Sequence, residues 1–187
     1  MNKILTGAFV SIASVFIAGS ALAGGHDTCG DITIAEMDWA SAELIANIDK
    51  IILEEGYGCS VELVPGATMT TFASMDTKGV PDIAPELWAN AVQTPLAKAE
   101  EEGRLFMLNG APITGAGEGW MISTKVMQEN GLTTLADVLE RPDLFPHPED
   151  SSKGGIVTCP SGWGCQIATN QLFKAFDMEA KGWMLID

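Results

Sequence analysis

From Ile32 onward the chain alternates short apolar runs with longer amphipathic ones. Ile32-Thr33-Ile34-Ala35 reads as a strand. Ser41 to Glu55 sets Leu44, Ile45, Ile48, Ile51 and Ile52 on one helical face, and Gly56 stops the helix. Ser60 to Val64 reads as a second strand, Thr70 to Lys78 as a short helix ended by Gly79, and Asp82-Ile83-Ala84 as a third, buried strand. Thr94-Pro95 offers an N-cap and first-turn pair for a helix running to Glu102 and closed by Gly103. Leu105 to Leu108 reads as a fourth strand. Asn109 to Gly119 then holds four glycines and a proline with no helical or strand period, as expected of a crossing between lobes. Beyond it come a strand-like Trp120-Met121-Ile122-Ser123 and helices near 124–130 and 134–140. A polar loop from Pro146 to Gly154 precedes a strand at Ile156-Val157-Thr158, a helix from about Gln166 to Phe176, and a last strand over Gly182 to Ile186.

This β-α alternation, without internal repeats, predicts an α/β protein with mostly parallel strands and helices on both faces. The expected division is a first lobe over 24–112, then a crossing segment and the start of a second lobe over 113–187. A lobe beginning near Trp120 has too few residues for a full core, so the second lobe is expected to be incomplete and the chain to be the front part of a longer protein.

The pattern does not start at Met1. Met1-Asn2-Lys3 is a positive start, an apolar run extends from Ile4 to about Ala18, and Ala21-Leu22-Ala23 is a small-x-small processing site. That is the anatomy of a secretory signal peptide over 1–23, with cleavage expected after Ala23 and a periplasmic destination. The run is short for a membrane span, and Cys29 lies too far on to anchor a lipid at the cleavage point. The whole chain has 25 acidic against 10 basic residues; with Lys3 removed, nine basic residues remain and the net charge is −16. Such a charge excludes nucleic acid and anionic membrane surfaces as partners. It is compatible with cationic or zwitterionic ligands without demonstrating one.

Four cysteines in an exported chain read first as two disulfides, with three possible connectivities; locality in sequence favours Cys29–Cys59 and Cys159–Cys165. The competing zinc site lacks ligand spacing, since neither His26 nor His147 is placed for it, and no metal or other cofactor is expected. A different class of function, an exported thiol–disulfide protein using Cys159 and Cys165 as its active pair, would need a depressed thiol pKa. Five residues separate these cysteines where a thioredoxin-like motif has two, and no Lys, Arg or His lies near the loop in sequence. Two other motifs fail. Gly115-Ala116-Gly117-Glu118-Gly119 meets Trp120 at its sixth position and leads into no helix, so it is not a phosphate loop. Ser161 lacks a G-x-S-x-G context, so no hydrolase is indicated and the chain is not expected to be an enzyme.

In open α/β sheets ligands bind beyond the carboxyl ends of the strands. The predicted strands lead into Glu36-Met37-Asp38-Trp39, Pro65-Gly66-Ala67-Thr68, Pro85-Glu86-Leu87-Trp88, and Cys159 to Cys165. Three of the five tryptophans lie at these ends. Any one of them would be core packing by default; three at equivalent positions make a stronger case for a site. In Cys-Pro-Ser-Gly-Trp-Gly-Cys a disulfide would close a tight loop just before a helix. The Gly164 and Cys165 amides would then lie near the helix N-terminus, where a carboxylate can bind, with the Trp163 face beside them. This suits a ligand with a cation at one end and a carboxylate at the other. Trp39 reads equally as cleft lining or as packing for the first helix. Glu86 could face the cation, but a solvated carboxylate is its default reading.

Three segments resemble the glycine betaine/proline betaine substrate-binding proteins of ABC importers. Ile-Val-Thr-Cys-Pro-Ser-Gly-Trp-Gly-Cys-Gln is similar to that family's cysteine-bridged loop, Pro-Asp-Ile-Ala-Pro-Glu-Leu-Trp-Ala-Asn to its segment bearing a ligand-stacking tryptophan, and Ile-Thr-Ile-Ala-Glu-Met-Asp-Trp-Ala, more loosely, to its first strand. The resemblance runs from about Ile32 to Asp187, the front half of a typical member. It implies a two-lobed, type II periplasmic-binding-protein-like clamp that docks on a membrane permease. Trp88 and Trp163 would wall an aromatic cage for a quaternary ammonium, and the Gly164 and Cys165 amides would hold the carboxylate. Where some members carry a carboxylate-binding histidine, four residues after the first cage tryptophan, this chain has Val92. A further cage aromatic belongs to the family's later half. The expected function is capture of glycine betaine or a related quaternary ammonium compound.

Overall fold

The structure, a computed structural model, describes residues 29–108 and 116–186. The signal segment, His26 and most of the expected crossing lie outside these residues. Two short parallel sheets carry the fold. β1 (Asp31–Met37) pairs in parallel with β2 (Ser60–Gly66), and α1 (Ala40–Ile51) joins them, its last part continuing as a wider π turn over Ile52–Gly56. Next come α2 (Thr68–Lys78), a 3-10 turn at Ala89–Val92, and α3 (Gln93–Glu101). Further along the chain, α4 (Thr124–Glu129) and α5 (Leu135–Leu139) lead to β3 (Gly154–Val157), which pairs in parallel with β4 (Trp183–Ile186) through α6 (Gly164–Ala175). The α/β class and the parallel strand direction agree with the sequence pattern. Both disulfides favoured by locality are present, Cys29–Cys59 and Cys159–Cys165.

The buried side chains fall into separate clusters. Ile34, Ala46, Cys59 and Val61 form one beneath β1 and β2, while Phe72, Val92 and Leu96 form another where α2 meets α3. Leu139, Met178 and Trp183 form a third, joined by Trp120, Phe145 and Ile156. His147 is buried near this last group. Its Nδ1 accepts from Glu149 N–H, so Nε2 donates to the Leu185 carbonyl, 3.1 Å away. It is a satisfied structural histidine.

Five expectations are corrected. The apolar stripe of α1 does not face the sheet: Ala42 and Ala46 do, whereas Leu44, Ile48, Ile51 and Ile52 are 44–61% exposed. Small side chains let the helix lie close to β1, and the bulky stripe falls on the opposite side of a 3.6-residue period. Asp82-Ile83-Ala84 forms a single parallel bridge, Ile34 to Ile83, and not a full strand. Pro81 and Pro85 flank it and supply no N–H for a longer ladder. Leu105 to Leu108 has no regular structure, and Phe106 and Leu108 are nearly four-fifths exposed. Apolar character alone does not make a strand without a neighbour to pair with. The same holds for Trp120 to Ser123, where Met121 is exposed. At α3 the helix starts one residue before Thr94, continuing from the 3-10 turn with Val92 at its N-cap.

The bridge at Ile83 matters because it holds the segment that leads to Glu86 and Trp88. Asp82 Oδ2 accepts from Thr33 N–H (2.7 Å) and from Thr33 Oγ1 (2.6 Å), fastening that segment to β1. These bonds hold the Asp82 carboxyl below the ordinary aspartate value of 3.8. A depressed pKa contributes stability that is complete above the unfolded value and is lost as the pH falls through the folded one. Asp82 is exposed and solvent screens these bonds, so Asp82→Ala should cost less than about 1 kcal/mol at neutral pH. Urea unfolding at pH 6 and at pH 3 should show this deficit shrinking on acidification. A deficit that stays the same or grows at pH 3 would mean that Asp82 does not act through these bonds.

Candidate ligand-binding site

The carboxyl ends of β1, β2 and β3 meet at one cleft of about 490 Å³. Its walls include Trp39, Glu86, Trp88, Trp163, Gly164 and Cys165, so every ligand-binding residue expected from sequence comes together there. Trp39 follows β1 as the N-cap of α1, and it also packs on the buried Ala35, Met37 and Ala42. Both readings of Trp39 therefore describe it. Its ring meets that of Trp163 edge to face, with centroids 5.1 Å apart. This tilted arrangement is the one that aromatic quadrupoles favour.

The Cys159–Cys165 loop is shaped by two glycines. Gly162 has φ +92°, a left-handed conformation that side chains resist, and it allows Trp163 N–H to close a turn on the Pro160 carbonyl. The Gly162 carbonyl in turn accepts from Met69 N–H at 3.2 Å, which ties the loop to the start of α2. A Cβ on Gly164 would lie 2.8 Å from the Ala91 side chain, so only glycine lets α6 approach the 3-10 turn this closely. The α6 N-terminus has Trp163 at its N-cap and no capping side chain. Helix geometry leaves its first amides, those of Gly164 and Cys165 among them, without intrahelical acceptors. They present partial positive charge at the cleft.

Carboxylates hold the indoles in place. Glu86 Oε1 accepts from Trp39 Nε1 (2.8 Å), Trp88 Nε1 (3.0 Å) and Ser41 Oγ (3.0 Å). Asp38 Oδ1 accepts from Trp163 Nε1 at 2.8 Å. The default reading of Glu86 as a solvated carboxylate is thus corrected: it is partly buried and braces two tryptophans. Asp38 and Ser41 are site residues that the sequence does not single out. Their only local signal is that they flank Trp39, and the partner of Asp38 is 125 positions away. Thr68, at the start of α2, is also buried in the cleft wall. Asn90 Nδ2 donates to Glu118 Oε2 across the cleft mouth. Val92 is fully buried against Phe72 and Leu96, so the position of the histidine found in some betaine-binding proteins belongs here to the core.

A larger hollow of about 610 Å³ lies between α4, α5 and β3, lined by residues such as Leu132, Val138, Phe145 and Trp183. Its wall has no charged side chain, whereas the smaller cleft includes Glu86 and Glu118.

The described residues thus form an α/β structure with an aromatic, carboxylate-braced cleft at the ends of its parallel strands. Residues 30–186 match the family described as the substrate binding domain of ABC-type glycine betaine transport system, and the chain belongs to that family. It is also 29% identical, over 76 residues, to the glycine betaine/proline betaine-binding periplasmic protein of Salmonella typhimurium (strain LT2). That alignment covers 40% of this chain and 23% of the relative, so the chain matches less than a quarter of the relative's length.

Proposed function

We propose that this chain captures glycine betaine or a related quaternary ammonium compound and hands it to the membrane permease of an ABC importer, for osmoprotectant uptake. It acts by binding, without chemistry on the ligand. The observation that carries this reading is the gathering of Trp39, Trp88 and Trp163 around the N-terminus of α6. Trp88 and Trp163 serve as walls for the cation, and the Gly164 and Cys165 amides take the carboxylate. A desolvated cation–π contact is worth ~2 kcal/mol. Two or three of them supply much of the ~8 kcal/mol that micromolar binding needs. Buried methyl groups and the amide hydrogen bonds to the carboxylate add the rest.

The working protein is read as a two-lobed type II clamp, with 24–112 belonging to the first lobe and 113–187 to the crossing and the start of the second. The separate clusters on either side of residues 109–119 support this division. Export, with a signal over 1–23 cleaved after Ala23, fits the relative's periplasmic name. No helix among the described residues is long and apolar enough to cross a membrane. The thiol–disulfide alternative gains no support, because no Lys, Arg or His is among the residues lining the cleft beside Cys159 and Cys165. Titration calorimetry with glycine betaine tests the proposal. Saturable one-to-one binding that quenches or shifts tryptophan fluorescence is expected; no heat and no spectral change with glycine betaine, proline betaine or choline would defeat it.

A further inference from the structure

We propose that Glu86 and Asp38 are the residues that make the cleft select formal positive charge, an inference that rests on reading the cleft as a quaternary ammonium site. Three of the four indoles that line the cleft donate their Nε1–H to a carboxylate, Trp39 and Trp88 to Glu86 and Trp163 to Asp38. The other two tryptophans do not: Trp120, which also lines the cleft, donates to the Thr169 hydroxyl, and Trp183, buried with Leu139 and Met178, donates to the Leu139 carbonyl. A carboxylate acceptor thus marks the indoles of Trp39, Trp88 and Trp163 and is not a general habit of tryptophan in this chain.

The carboxylates act in two ways. A bond from an indole N–H to an anionic oxygen is charge-assisted. It shifts electron density into the ring and deepens the negative face that a cation meets. The carboxylates also place charge at the N–H edges of the rings, and that charge is not cancelled. Neither Glu86 nor Asp38 joins any of the ion pairs among the described residues. Glu86 Oε2 is buried without a hydrogen-bond partner. An uncompensated buried carboxylate oxygen is costly, and a cation bound over the faces of these rings would offset part of that cost. A neutral group of the same shape would not. Glu86 and Asp38 are thus positioning and specificity residues that act on the ligand through the indoles.

The test compares glycine betaine with 3,3-dimethylbutanoate, in which carbon replaces the ammonium nitrogen while the shape and the carboxylate stay the same. Glu86→Gln retains an oxygen acceptor for the indole N–H groups but removes the charge. In the full-length protein it should weaken glycine betaine on the order of tenfold, while the neutral-headed isostere binds as before or better, so the ratio of affinities collapses. Asp38→Asn, at an exposed position where folding is not at stake, should lower the ratio in the same direction. Glu86→Asp, which keeps the charge, should retain more of the ratio than Glu86→Gln. If the glutamine and asparagine variants weaken both ligands by the same factor, or leave glycine betaine untouched, charge selection by these residues is overturned while the betaine reading stands. A wild-type protein that binds neither ligand would defeat the betaine reading and this inference with it.

Discussion

Trp163→Ala should weaken glycine betaine binding roughly thirtyfold, a loss of ~2 kcal/mol. The ring is half-buried at the cleft, fixed from one side by the Nε1 bond to Asp38 and from another by its edge contact with Trp39. Removing it takes away one face of the cage and releases the neighbouring Trp39 ring. Trp163→Phe keeps a weaker π face but has no N–H for Asp38, so it should fall between wild type and alanine. Trp88→Ala should match the alanine variant if it forms the opposing wall. Thermal stability should change little, because these rings border a cleft and do not belong to the fully buried clusters. Calorimetry decides the matter: an unchanged affinity in Trp163→Ala, with the Cys159–Cys165 bridge still oxidised, removes the cage.

Breaking the other bridge should leave the opposite signature. Cys29 and Cys59 are separated by 30 positions and join the start of β1 to the start of β2. A loop of that length is worth roughly 3–4 kcal/mol in the chain-entropy model. Cys59 also belongs to the buried cluster of Ile34, Ala46 and Val61, so serine there places a hydroxyl among apolar neighbours. The Cys29→Ser/Cys59→Ser double variant should therefore melt roughly 6–16 °C lower, at ~2–4 °C per kcal/mol for a chain of this size. Binding measured well below the transition should change much less, because the bridge lies at the amino ends of the strands and the cleft at their carboxyl ends. By contrast, opening the Cys159–Cys165 loop, with its shorter closure, should cost only ~2 kcal/mol of stability and a larger share of affinity. Equal melting temperatures for the Cys29/Cys59 variant and wild type would remove this account.

Much of this protein is decided locally. Apolar spacing places α1, α2, β1, β2, α6 and β4 within a few residues of where they lie, since each periodicity is a property of neighbouring positions. The cysteine pairing obeys the same rule, because each partner is the nearest available in sequence. The glycines and the tryptophan of the bridged loop announce their roles through a backbone turn and a helix start that involve only adjacent residues. What the chain does with those elements is decided at a distance. Whether Leu44 and Ile48 or Ala42 and Ala46 face the sheet depends on how closely α1 can approach β1. Whether Ile83 extends a sheet depends on two prolines and on β1, and whether Leu105 to Leu108 pairs at all depends on a neighbour that local pattern cannot supply. The same division runs through the site. A tryptophan after a strand can be read in sequence. Its indole N–H meeting a carboxylate 47 or 125 positions away cannot, because that bond exists only once separate strand ends have been brought to one cleft.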